Sequence, residues 1–340
     1  MKQDGTIQTV QLPVFAMQNT DEWAFPQSLR PNAENLKFNL TRSVNSVVKV
    51  RTAISADAFT ADILGTERIG SGVLINENGL ILTVGYLVTE AESVWITTNL
   101  NQSVQGHVVA YDQATGLGLI QALGSLQIKP SDLEKSNLIN PSDDAYVVSY
   151  GGLEHALHSK IIRVDEFAGY WEYVLDQAIY TSPPHPQWGG AAIFNGRGHV
   201  VGIGSLFLHE VFEGQSQQGN LAIPTHLLEP VLSDLLEFGR PLTPARPWIG
   251  MYTAETGGKL IVSSLARYGP AELAGILQGD QIMSLGEEKT STLAHFFRSV
   301  WNLGSAGVSV PLHINREGNQ LQFVLNSADR NDFLLKPKTH

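Results

Sequence analysis

IGSGVLINENGLILTVGYLV, residues 69–88, is a pair of apolar runs joined by a turn. GSGVLI (70–75) and LILTVGYLV (80–88) are rich in aliphatic and β-branched residues, and Asn78-Gly79 stands between them. Asparagine and glycine both tolerate positive φ, so this step closes a hairpin. Working outward, SVWITT (93–98) and GHVVAY (106–111) follow, then AYVVSYG (145–151), YVLDQAIYT (173–181), AAIFN (191–195) and HVVGIGSLF (199–207). Upstream, a strand-like pattern runs from Ser43 to Val50. Short strands at such close spacing predict a mainly β domain, a barrel or a sandwich.

The period changes after Pro224. Leu227, Leu228, Val231, Leu232, Leu235 and Leu236 fall on one helical face up to Phe238, and Gly239 is the stop. Pro241, Pro244 and Pro247 form a stiff linker. A second domain runs from Trp248 to Asn326, with a helix over 291–303 whose Leu293, Phe296, Phe297 and Val300 have core spacing. The expected organisation is an irregular N-terminal arm (1–36), a β domain (37–240), a linker (241–247), an α+β domain (248–326) and a tail (327–340).

Composition removes several functions. The 340 residues carry a formal net charge of -11, which disfavours nucleic acid and anionic membrane surfaces as partners. No apolar run reaches the roughly 18 residues of a membrane span. The start, MKQDGTIQTV, lacks the basic and apolar stretches of a signal peptide. The native chain is therefore cytoplasmic or has been trimmed of an export segment. With no cysteine there is no disulfide, thiolate metal site or cysteine nucleophile, and no cofactor motif is present.

Taken in order, IGSGVLINENGLILTVGYLV, DQATGLGLI (112–120) and PPHPQWGGAAIFNGRGHVVGIGS (183–205) resemble the motifs of the HtrA/Deg family of trypsin-like serine proteases. KLIVSSLARYGPAELAGILQGDQIMSLGE (259–287) is similar to the strand, helix and Gly-Asp turn of that family's PDZ domain. The resemblance implies a chymotrypsin-like double β-barrel followed by an α+β PDZ domain. It also implies a periplasmic or other extracytoplasmic setting.

Laying the motifs over the sequence puts Tyr86 at the catalytic histidine, Gly116 at the aspartate and Trp188 at the nucleophilic serine. A serine protease needs a nucleophilic oxygen, a base to take its proton and donors for the oxyanion. Indole offers only an N–H donor. A phenol with a pKa of about 10 is protonated at neutral pH and a poor base. Glycine orients nothing. The family's oxyanion donor two residues before the serine falls on Pro186, which has no N–H. Trp188 either plugs the cleft or anchors a partner, and Tyr86 packs within the same cleft.

The reading that follows is a proteolytically inactive scaffold or regulator. A rival is an endopeptidase with a relocated site drawn from Ser182, Ser205, His185 and His199. His155 and His158, at i and i+3, would share a metal only on a helix and with further ligands, so no metal site is expected. For the PDZ domain the resemblance implies a carboxylate-binding loop at Trp248, Ile249, Gly250 and Met251, flanked by Leu293, Phe296, Phe297 and Val300. Free backbone N–H groups there would hold a peptide C-terminus, while the strand edge takes the peptide backbone. Expected partners are C-terminal or unfolded peptide segments. An active relative and a homotrimer, supported by the arm with Trp23 and Phe25, follow from the resemblance. A structural interaction protein with a closed groove is the remaining alternative.

Overall fold

A computed structural model describes residues 9–11, 23–134, 139–212 and 215–336. The chain begins with β1 (Thr9–Gln11), α1 (Leu40–Asn45), β2 (Val47–Ile54), α2 (Ala61–Leu64), β3 (Glu67–Leu74), β4 (Leu80–Val84), α3 (Gly85–Val88), β5 (Ala91–Thr97), β6 (Ser103–Asp112) and β7 (Leu117–Ala122). It continues with β8 (Asp144–Val148), β9 (Ala156–Gly169), β10 (Tyr173–Ser182), β11 (Ala192–Phe194), β12 (Val200–Phe212), β13 (Gln215–Pro224) and α4 (Leu232–Phe238). The last stretch holds β14 (Met251–Thr256), β15 (Lys259–Leu265), α5 (Pro270–Leu273), β16 (Gln281–Leu285), β17 (Glu288–Lys289), α6 (Leu293–Asn302), β18 (Ser309–Arg316) and β19 (Asn319–Asn326).

Two compact units result. The larger is built from Gln8–Asp165 and Gln177–Pro241, the smaller from Glu166–Asp176 and Leu242–Leu334. Each is described by itself.

In the larger unit β2 to β7 close a barrel in the order β2-β3-β4-β7-β6-β5. A seven-stranded sheet runs β1-β12-β11-β8-β9-β10-β13. Side chains alternate between the two faces of the barrel strands: Val50, Ile81 and Ile96 share one face, Val73, Leu82 and Leu119 the other, and all six are buried. The hairpin predicted at Asn78-Gly79 joins β3 to β4. Gly79 takes φ +86°, and Asn76 Oδ1 accepts from the N–H of Asn78 and of Leu80.

Three local expectations are corrected. Residues Leu40–Asn45 form a helical turn, capped by the Asn39 side chain on the Arg42 N–H, so the strand starts at Val47 rather than Ser43. The helix expected from Pro224 shrinks to Leu232–Phe238, because Pro230 cannot continue one. Leu228 and Leu235 are buried there, whereas Leu236 is 50% exposed. The arm is tied down from Trp23 onward: its ring stacks on His155 at 4.5 Å, and Phe25 meets the ring of His185 edge-on at 5.0 Å.

The smaller unit is a sheet ordered β14-β15-β16-β18-β19, with β17 paired to β16. Helix α6 starts at Thr292, whose hydroxyl accepts from the His295 N–H at 3.1 Å. Its Leu293, Phe296, Phe297 and Val300 pack on Ile249, Met251, Val262 and Leu312, forming the core of this unit.

Candidate functional site

In the larger unit the residues assigned to the protease centre are neighbours. Tyr86 lies on the single turn α3, directly after β4. Gly85 holds that turn against the next loop by donating its N–H to the Gly116 carbonyl at 2.7 Å. Tyr86 Oη donates to the Ser205 carbonyl at 3.0 Å. A Cβ added to Gly189 would lie 2.9 Å from that same phenol oxygen, so Tyr86 reaches the residue beside Trp188. Burial drives the phenol pKa far above its ordinary value, and Tyr86 keeps its proton.

Trp188 stands in a turn fixed on several sides. Its carbonyl accepts from Ala191 N–H at 3.0 Å, Gly189 O accepts from Ser71 N–H at 2.8 Å, and Gly190 N–H donates to Gly204 O at 2.8 Å. A Cβ on Gly204 would come within 2.2 Å of the Trp188 carbonyl, which explains glycine there. The indole ring is 5.5 Å from that of Phe207, and its buried Nε1 has no hydrogen-bond partner among the described residues.

The amides that precede Trp188 are not free for an oxyanion. Pro186 has none. Gln187 donates its N–H to His185 Nδ1 at 3.0 Å. His185 is fully buried and its Nε2–H donates to the His155 carbonyl at 2.8 Å, a pairing that fixes the tautomer. Burial pushes its pKa down to about 4, so the ring is neutral at pH 7.

The residues of the relocated-site rival are dispersed among other partners. Ser182 Oγ donates to the Gln218 carbonyl at 3.1 Å, while Ser205 contributes its carbonyl to Tyr86. His199 Nδ1 lies 3.5 Å from the Glu134 carboxylate. Among the described residues, the Ser182 hydroxyl is engaged by a carbonyl, not by an imidazole. His155 ends a short 3-10 turn and His158 lies on β9, so the pair does not share a helical face. His155 Nε2 faces Trp23 O at 2.5 Å, and His158 Nε2 faces Asp144 Oδ1 at 2.9 Å.

The second site is the loop Trp248–Met251 of the smaller unit. Trp248 exchanges backbone hydrogen bonds with Ala328, Ile249 O accepts from Ala271 N–H, and Gly250 O accepts from Ala266 N–H. With its carbonyls taken, the loop turns its amides inward. Gly250 sits at φ +70°, where a side chain would meet Trp248, Ala266 and Gly269. The N–H groups of Ile249, Gly250 and Met251 converge on one carboxylate, that of Glu172, at 3.1, 2.8 and 3.1 Å. Glu172 is 5% exposed. Burial pushes its carboxyl up to about 7, while the three amides and the charge of Arg330 pull the other way. Leu293, Phe296, Phe297 and Val300 are buried core residues, and Val174 belongs to the same cluster.

Sequence reading passed over Glu172. Its signal is an acid flanked by aromatics in GYWEYV (169–174), a stretch outside every family motif.

Residues 70–203 match the Trypsin-like peptidase domain family and residues 247–326 the PDZ domain family. Serine endoprotease DegS of Salmonella typhimurium is 24% identical over 307 residues, covering 84% of this chain and 83% of the relative. DegS of Escherichia coli K12 is 23% identical over 339 residues, 93% of this chain and 92% of that one. A probable periplasmic serine endoprotease, DegP-like, from Pseudomonas putida W619 is 24% identical over 278 residues; the chain spans 54% of its length. Among solved structures, HtrA-type protease AlgW with decapeptide superposes with a TM-score of 0.51 at 19% identity, over 88% of this chain and 98% of the other. That likeness is one of fold. The chain carries a trypsin-like peptidase domain and a PDZ domain, and its relatives are DegS and DegP-like HtrA proteases.

Proposed function

We propose that this chain is a proteolytically inactive member of the family, acting as a scaffold or regulator that binds peptide segments of other proteins through its PDZ domain. The observation that carries the reading is the Tyr86–Ser205 hydrogen bond beside the Trp188 turn. Where the resemblance calls for a base and a nucleophile, there is a phenol committed to a carbonyl and an indole without nucleophilic oxygen. The oxyanion side is equally poor, since Pro186 has no amide hydrogen and that of Gln187 is engaged by His185. In favour of binding is the loop Ile249–Met251, whose three amides already hold a carboxylate. The periplasmic name of the Pseudomonas putida relative supports an extracytoplasmic setting.

Incubation of the purified chain with casein tests the inactivity. No fragments above the buffer control are expected at neutral pH, and fragments that co-purify with the chain would overturn the reading. A second reading, a structural interaction protein with a closed groove, is favoured by the same Glu172 contact. The two readings differ in whether the groove opens.

A further inference from the structure

The segment Glu166–Asp176 reproduces three features of a bound peptide C-terminus within the smaller unit. Strand β14 lies at the end of its sheet, and the Thr253 N–H donates to the Tyr170 carbonyl at 3.0 Å, a backbone contact of the kind an added strand makes. Two residues on, the Glu172 carboxylate takes the amides of Ile249, Gly250 and Met251. Two residues further, Val174 enters the apolar cluster containing Leu293, Phe296, Phe297 and Val300.

The segment is built for this pose. Glu172 has φ +61°, a region that a residue with a Cβ enters at a cost, and in that pose its side chain reaches the three amides. The Trp171 ring stacks on Tyr173 at 5.7 Å, and Gly169 is glycine because a Cβ would lie 2.7 Å from the Trp171 ring. The outer tethers are weak. Arg298 of α6 pairs with Glu166 and Asp176 at the surface, where ion pairs contribute little.

We propose that Glu172 is an internal stand-in for a peptide C-terminus, holding the groove closed until a peptide with a free carboxylate and an apolar last residue displaces it. The inference rests on the peptide-binding reading given above. A tethered occupant lowers the apparent affinity for a free ligand by the fraction of time the site is open. Loss of Glu172 must therefore raise affinity rather than abolish it. A carboxylate that served only to shape the domain would have the opposite effect.

The test uses the full chain, fluorescence polarisation and fluoresceinated octapeptides ending in free Val, Leu or Phe, with C-terminal amides as controls. The variant is Glu172→Gly, since glycine suits φ +61° and removes the side chain that carries the carboxylate. Binding at least tenfold tighter than wild type is expected, with no gain for the amidated peptides. Arg298→Ala, a surface change, is expected to gain about threefold. Hydrogen exchange of the amides 249–251 should accelerate in both variants. Equal affinities for wild type and both variants overturn the closure and leave peptide binding intact. Absence of binding in every form, with exchange accelerated, overturns the peptide-binding reading and the competition together. Were Glu172→Gly to unfold, no gain in Arg298→Ala would overturn the closure.

Discussion

The carboxylate of Glu172 accepts the Gly250 N–H at 2.8 Å, at a loop whose own carbonyls are committed to Ala266, Ala271 and Ala328. Three convergent backbone amides hold a carboxylate through charge-assisted hydrogen bonds, a geometry that depends on the carboxylate and not on the chain that supplies it. Such local donors hold a carboxylate within an acidic protein despite its unfavourable overall charge.

That contact has a pH signature. A solvated glutamate titrates near 4.3, whereas the docked Glu172 carboxyl is pushed up to about 7 by burial. The docked form holds its proton more tightly, so docking is strongest in acid and weakens as pH rises from about 4.3 to about 7. The charged and titratable groups facing it are Arg330 and Tyr252, and burial raises the Tyr252 phenol pKa further above its ordinary value. Peptide affinity of the wild type should therefore rise relative to that of Glu172→Gly between pH 5 and pH 8, since only the wild type loses an internal competitor. Polarisation titrations across this range decide it.

Under the proposed function the Tyr86 phenol is structural. Tyr86→Phe leaves the Ser205 carbonyl without this donor, which should cost about 1 kcal/mol in urea unfolding. The same variant should show no change in casein hydrolysis. A change in hydrolysis would return Tyr86 to the chemistry.

Restoring the three side chains should not restore the enzyme. In the triple variant Tyr86→His, Gly116→Asp, Trp188→Ser, Pro186 still lacks a donor and Gln187 N–H still points to His185. Losing one oxyanion donor typically costs about 10² to 10³ in rate. Adding Pro186→Gly to the triple variant should raise casein turnover above the triple alone, and equal rates would show that the amide is irrelevant.

The turn around Trp188 should be intolerant of added bulk. A Cβ on Gly190, at φ +76°, would lie 1.9 Å from the Ser71 carbonyl. Gly190→Ala should lower unfolding stability by roughly 3 kcal/mol, as overpacked and strained positions do. Chemical denaturation of the purified variant measures it.

Much of the fold was legible because it follows from local signals. Asn78-Gly79 marked a real hairpin, the spacing of Leu293, Phe296, Phe297 and Val300 marked the buried face of α6, and Gly239 ends α4 at φ +70°. The errors arose where one residue overrode a pattern. Pro230 cut the 224–238 helix, and the Asn39 cap turned the start of a strand pattern into α1. Glu172 was illegible for a different reason. Its partners lie more than seventy positions away, and no local period encodes which loop a hairpin tip meets. The role of Gln187 was hidden likewise, since only the buried His185 ring explains where its amide points.

Intact-mass spectrometry of the purified chain after incubation with a serine-reactive phosphonate asks whether any hydroxyl in it is activated. An unmodified mass after prolonged exposure is expected, because the Ser182 hydroxyl donates to the Gln218 carbonyl and both ring nitrogens of His185 are engaged by backbone groups. A single adduct, mapped to one serine and abolished when that serine becomes alanine, would show that the trypsin-like unit still cuts.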